Sequence, residues 1–217
     1  METIITPDDL RPGDEILSYK KPVWYNIFQH FFDWILVLKA KKKYGRYCVF
    51  ARCNHVRVYI GYDTSNDSHK VFEWTYPEAK ESYLENWMLS PEYSRIYRYT
   101  GGIDKSILED IDELFFDALE YIEYRMFKEG EHNWRKYDWG QLLDIAVGWK
   151  RVFDLGKNRR VCSSGARYLV EEAFAKKIMK DTPLNKTLPC AFANDSEFTC
   201  VNTTVDTTGD IKPEPTD

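Results

Sequence analysis

A cysteine at a helix start, a histidine at a strand start and a carboxylate on the next strand can together carry out thiol chemistry. This sequence offers one of each. Cys162 stands in Val-Cys-Ser-Ser-Gly-Ala-Arg-Tyr-Leu-Val, and Ala166, Leu169, Val170, Ala173, Phe174 and Ile178 predict a helix beginning at or near it. The unpaired N–H groups of a first helical turn, together with the helix dipole, favour thiolate over thiol. Arg159 and Arg160 just before the cysteine push the same way. Ser163, Ser164 and Gly165 are small, so a substrate can come close, with Ser163 as a substrate contact. The bland alternative is a buried, inert cysteine.

A thiolate that attacks a carbonyl needs a base that also protonates the leaving group. Four histidines compete for that role: His30 in an aromatic segment, His69 in a polar loop, His132 in a charged turn, and His55. His55 opens a strand in which Val56, Val58 and Ile60 share one face, while His55, Arg57 and Tyr59 share the other. A lone strand histidine is usually structural. What singles out His55 is Glu73. It shares a face with Val71 and Thr75 on the strand Val71 to Tyr76, and it lies beside His55 if the two strands pair. There it would fix the imidazole tautomer and stabilise the imidazolium.

The remaining elements form a frame for these three residues. Pro12-Gly13 turns into a short strand ending near Tyr19. Phe28, Phe31, Phe32, Ile35 and Leu38 keep helical spacing, followed directly by Lys39, Lys41, Lys42 and Lys43. That segment reads as core packing first, and as a groove or a membrane-surface contact second. Arg95 to Tyr99 suggests a third strand. Ser106 and Glu109 have capping-box spacing ahead of an apolar stripe from Ile107 to Ile122, with Gly130 as the stop. A shorter helix is expected over Trp139 to Val147. From Val201 the Thr-, Asp- and Pro-rich composition predicts a disordered tail, 201–217. Residues 1–200 read as a single α+β domain.

Composition narrows the function classes. A net charge of −5 gives no general attraction to nucleic acid. Five cysteines at irregular spacing do not predict a disulfide framework. Cys48, Cys53 and His55 cluster, but in no recognisable zinc-ligand spacing, so no metal is expected. There is no glycine-rich phosphate loop and no dinucleotide fingerprint, and no cofactor is expected. The polar, acidic stretch Met1 to Asp14 predicts no secretory signal, and no apolar run is long enough to span a membrane. The expectation is a cytoplasmic protein of a bacterium, a phage or an infected host cell.

Five segments, in order, resemble the circularly permuted branch of the NlpC-like, papain-like cysteine hydrolases, the YiiX-like proteins. Pro12-Gly13-Asp14 with its strand is similar to the opening strand of that family. Asn54-His55-Val56 through Gly61 resembles its histidine strand, and Val71-Phe72-Glu73 the strand with the third polar residue. Tyr137-Asp138-Trp139-Gly140 resembles the segment before the nucleophile, and Cys162-Ser163-Ser164-Gly165 the nucleophile segment. Histidine before cysteine is the permuted order. The resemblance implies an antiparallel sheet packed on helices and a Cys162-His55-Glu73 site, with Tyr137 lining it near the thiol. The aromatic segment near 22–45 is then an insertion between the first two strands.

The implied activity is an amidase or peptidase acting on a peptide-like bond, with peptidoglycan as one substrate class. A lipid-directed acyltransferase or thioesterase is the second reading, because relatives of the permuted fold do such chemistry. In that reading Phe28 to Lys43 would touch lipid. A binding protein that kept the fold and lost the activity is the third.

Overall fold

A computed structural model of the chain describes residues 5–19, 27–45, 48, 50, 53–75, 78–90, 93–101, 110–128 and 160–202. Six strands make one antiparallel sheet: β1 (Glu15–Ser18), β2 (His55–Asp63), β3 (Ser68–Trp74), β4 (Ala79–Tyr83), β5 (Ser94–Tyr99) and β6 (Phe198–Cys200). Their spatial order is β4-β3-β2-β1-β5-β6. The described helices are α1 (Ile27–Tyr44), α2 (Ile111–Lys128) and α3 (Cys162–Ala173). The architecture is α+β, as the element pattern predicts.

The Pro-Gly-Asp step builds the centre of the sheet. Gly13 takes a left-handed φ of 88°, and its N–H donates to the Tyr59 carbonyl at 2.8 Å. Asp14 accepts from the Arg11 N–H and from two guanidinium nitrogens of Arg98, at 2.8 and 2.7 Å. That paired and hydrogen-bonded carboxylate is 1% exposed, which is tolerable only because its oxygens are satisfied. The turn delivers β1 into the middle of the sheet, flanked by β2 and β5.

Both sheet faces are covered. Leu17, Val56, Val58, Phe72, Trp74, Tyr97 and Tyr99 join residues of α2 and α3 in the main core. On the other face Ile16, Tyr59, Val71, Ile96 and Met88 pack under Ile5 and Leu10. Tyr59 therefore belongs to the second core, and the register shift at Gly61 ends the simple alternation at Ile60. α3 lies across β2 and β3, and α2 packs on α3 and β2.

Gly165 lets α3 come that close. A Cβ there would fall inside the Trp74 ring, and Trp74 is 1% exposed. Gly165→Ala is expected to lower stability by about 2 kcal/mol, the cost of overpacking a filled core. A lowered urea midpoint would show it. An unchanged midpoint would mean that Trp74 has room to move.

Several expectations change in detail. α3 stops at Ala173, so Ile178 is not on it. Ala175 adopts a left-handed φ of 46°, and the chain turns back so that the Ile178 N–H donates to Glu171 Oε1 and its side chain enters the core. α1 starts at Ile27 and runs through the lysine cluster to Tyr44. β4 and β6 were not expected: β4 reads Ala-Lys-Glu-Ser-Tyr and β6 has three residues, the polar and short character of edge strands. The folded chain also reaches past residue 200. The Val201 N–H donates to the Ile96 carbonyl, and the fully buried Asn202 side chain accepts from the Ile96 N–H at 2.9 Å. Tyr137, Ser106, the Trp139–Val147 helix and residues 203–217 lie outside the described residues.

Candidate active site

Cys162, His55 and Glu73 meet where the N-terminus of α3 crosses the start of β2 and the end of β3. His55 Nε2 lies 2.7 Å from Glu73 Oε2. The Cys162 thiol is hydrogen-bonded to the His55 ring, and with Nε2 committed to Glu73 the nitrogen left for sulfur is Nδ1. The backbone N–H groups of Val56 and Ser163 also donate to the Cys162 sulfur. One of these donors comes from β2 and the other from the first turn of α3. Cys162 is 3% exposed, whereas the His55 side chain is 18% exposed, so the site opens toward solvent at the imidazole.

Two buried thiols in this region ionise in opposite directions. Burial pushes the Cys53 thiol well above its ordinary value. Burial works against the Cys162 thiolate too, but the charge and hydrogen bond of His55, with the Val56 and Ser163 N–H groups, outweigh it and hold the thiol below its ordinary value. For His55, burial favours the neutral ring. The Cys162 charge and the hydrogen bonds to Cys162 and Glu73 overcome that and raise its pKa. The two shifts have one cause, since a charge on either group favours the charged form of the other.

Glu73 anchors the imidazolium. Burial opposes its charge, yet His55 and Arg57 hold its pKa down at about 2. Arg57 Nε lies 3.0 Å from the same Glu73 oxygen that His55 contacts, near enough for charge attraction though not aligned for a hydrogen bond. Arg57 is itself fixed by Ser18 Oγ at 2.9 Å and by the Trp87 ring beneath it. Ser82 Oγ donates to the other Glu73 oxygen at 3.3 Å. The charges thus alternate along the row: Arg57, Glu73, His55, Cys162. Sequence reasoning missed Arg57 as a site residue, although its place two residues after His55 on the same strand face was the signal for it.

Other expected contributors sit differently. The Ser163 hydroxyl donates to the Thr187 carbonyl at 2.6 Å and is 1% exposed, so Ser163 serves the site through its N–H and not its side chain. The Arg160 guanidinium stacks over the Tyr168 ring, and the thiolate draws its support from His55 instead. Among the described residues no three His, Cys, Asp or Glu side chains gather as a metal site would require.

No family model, no curated protein and no solved structure matches this chain.

Proposed function

We propose that this chain is a cysteine hydrolase of the amidase or peptidase type, on a permuted, papain-like, NlpC-like fold. One observation carries the reading: a buried thiol at a helix N-terminus is hydrogen-bonded to a histidine whose far nitrogen is held by a carboxylate. That chain of contacts is what a thiol nucleophile, its general base and a positioning group require. The order of elements, histidine strand first and cysteine helix later, supports the permuted topology.

In the proposed reaction the Cys162 thiolate attacks the carbonyl of a peptide-like bond, with peptidoglycan stems as one substrate class. N–H donors at the head of α3 stabilise the oxyanion. The His55 imidazolium gives its proton to the leaving nitrogen as the C–N bond breaks. Neutral His55 then takes a proton from water, which attacks the thioester and frees Cys162. Glu73 keeps His55 oriented throughout. A second reading, acyl transfer on lipids, is favoured by α1. Phe31, Trp34 and Leu38 stand exposed along it beside Lys39, Lys41 and Lys42.

The test uses p-nitrophenyl acetate, a reactive acyl donor that either reading accepts. Brief incubation is expected to leave an acetyl group on Cys162, which water then removes, and Cys162→Ala is expected to lose both the adduct and the release of nitrophenol. Faster deacylation on adding lipid vesicles would favour acyl transfer over hydrolysis. Acetylation of other residues with Cys162 untouched would sink both readings.

A further inference from the structure

A second thiol pair lies away from the nucleophile. Cys48, just beyond the end of α1, has its sulfur 3.9 Å from that of Cys190, in the turn Pro189–Asn194. Cys48 is half-buried and Cys190 is buried. The Asn194 side-chain amide donates to the Cys48 sulfur at 3.5 Å and to the Cys190 carbonyl at 2.7 Å, so one side chain fixes both partners. Asn194 also lines an open cavity of about 440 Å³, together with Lys43, Tyr44, Thr182 and Ala191. Neither thiol lines that cavity; Asn194 connects it to the pair, and solvent reaches the pair at the half-buried Cys48.

We infer that Cys48 and Cys190 form an oxidation site, in which a hydroperoxide oxidises the half-buried Cys48 sulfur and the adjacent Cys190 thiol closes a disulfide. In the first step the Cys48 thiolate takes one oxygen from the hydroperoxide. The O–O bond breaks, the sulfur becomes a sulfenic acid, and hydroxide or an alcohol leaves. In the second step the Cys190 sulfur attacks the Cys48 sulfur, the S–O bond breaks, and water carries away the hydroxyl and the Cys190 proton. Two thiols are oxidised and one hydroperoxide is reduced, so the electrons balance.

The environment divides the two roles. The hydrogen bond with Cys190 and the one donated by the Asn194 amide, despite partial burial and with help from Lys41, hold the Cys48 thiol below the ordinary value. The same contact with Cys48, together with burial, raises the Cys190 thiol. A half-buried thiol held below its ordinary pKa, 3.9 Å from a second thiol, is the arrangement in which oxidation stops at the disulfide. The bond would staple the chain after α1 to the turn following Thr187. The Thr187 carbonyl accepts from Ser163, and its hydroxyl lies 3.3 Å from Arg167 of α3. The link therefore reaches the helix that begins at Cys162, without involving Cys162 itself.

The test is peroxide treatment of the full-length, folded Cys162→Ser protein, which silences the nucleophile. Mild hydrogen peroxide is expected to remove two hydrogens from the intact mass. Peptide mapping should then join Cys48 to Cys190, and dithiothreitol should reverse the change. Cys48→Ser is expected to lose the crosslink, and in Cys190→Ala the Cys48 sulfenic acid should persist and be captured by dimedone. Oxidation of Cys48 to the sulfinic acid while Cys190 remains a thiol would overturn the inference. So would pairing that forms only in denaturant, or pairing through Cys53 or Cys200.

Discussion

Replacing His55 with alanine is expected to cut turnover of p-nitrophenyl acetate by about 10³-fold, within the range lost with a general acid–base. His55 does two things: it supplies the charge and hydrogen bond that keep the buried Cys162 thiol ionisable, and it moves the proton. Without it, burial is the largest influence left on Cys162, opposed by the Val56 and Ser163 N–H groups, and burial is likewise what raises Cys53 most. Alkylation by iodoacetamide separates the two effects, since it needs the thiolate but no proton transfer. In the wild type the acid limb of alkylation is expected below the ordinary thiol value of 9.0, and the loss of the imidazolium above the ordinary imidazole value of 6.5. In His55→Ala the acid limb is expected to move above 9.0. Equal alkylation profiles for the two proteins would show that His55 does not govern Cys162, and the hydrolase reading would fall with it.

The three central residues were legible because each carries a local signal. Cys162 opens an amphipathic helix, and His55 and Glu73 sit on the polar phase of two alternating strands, so pairing those strands brings the two side chains together. What the sequence did not announce depends on tertiary packing. Ser163 looks like a substrate contact because it is small and follows the nucleophile, yet its hydroxyl is claimed by Thr187, a residue 24 positions away. Arg57 reads as a solvent-facing strand residue until Ser18 on β1 and Trp87 in the turn before β5 are seen to hold it over Glu73. β4 carries Lys80, Glu81 and Ser82, too polar for a strand pattern, because only one of its edges is paired. Ile178 continued the helical period by coincidence and reaches the core by another route.

Glu15 was the least legible residue, and replacing it with leucine is expected to stabilise the protein by about 2 kcal/mol or more at pH 7, the cost of an unsatisfied buried polar group. Glu15 lies on the central strand between Val58 and Tyr97 and is 0% exposed. Among the described residues neither carboxyl oxygen has a hydrogen-bond partner. Burial first, then the negative charges of Asp14 and Cys162, raises its pKa well above the ordinary 4.5. The folded protein thus keeps a proton on Glu15 that the unfolded chain releases above that value. Stability is therefore lost to this group as pH rises from 4.5 toward the folded pKa. Glu73 has the opposite sign. Its folded pKa of about 2 lies below the ordinary value, so its contribution is full above 4.5 and vanishes as pH falls toward 2. The advantage of Glu15→Leu over wild type is accordingly expected to widen as pH rises above 4.5, in urea unfolding run at a series of pH values. Where Glu15 keeps its proton it places no charge beside Cys162, so Glu15→Gln should leave Cys162 alkylation unchanged there. A less stable Glu15→Leu protein would mean that the carboxyl holds a partner, and a changed alkylation rate in Glu15→Gln would mean that it carries charge beside the thiolate.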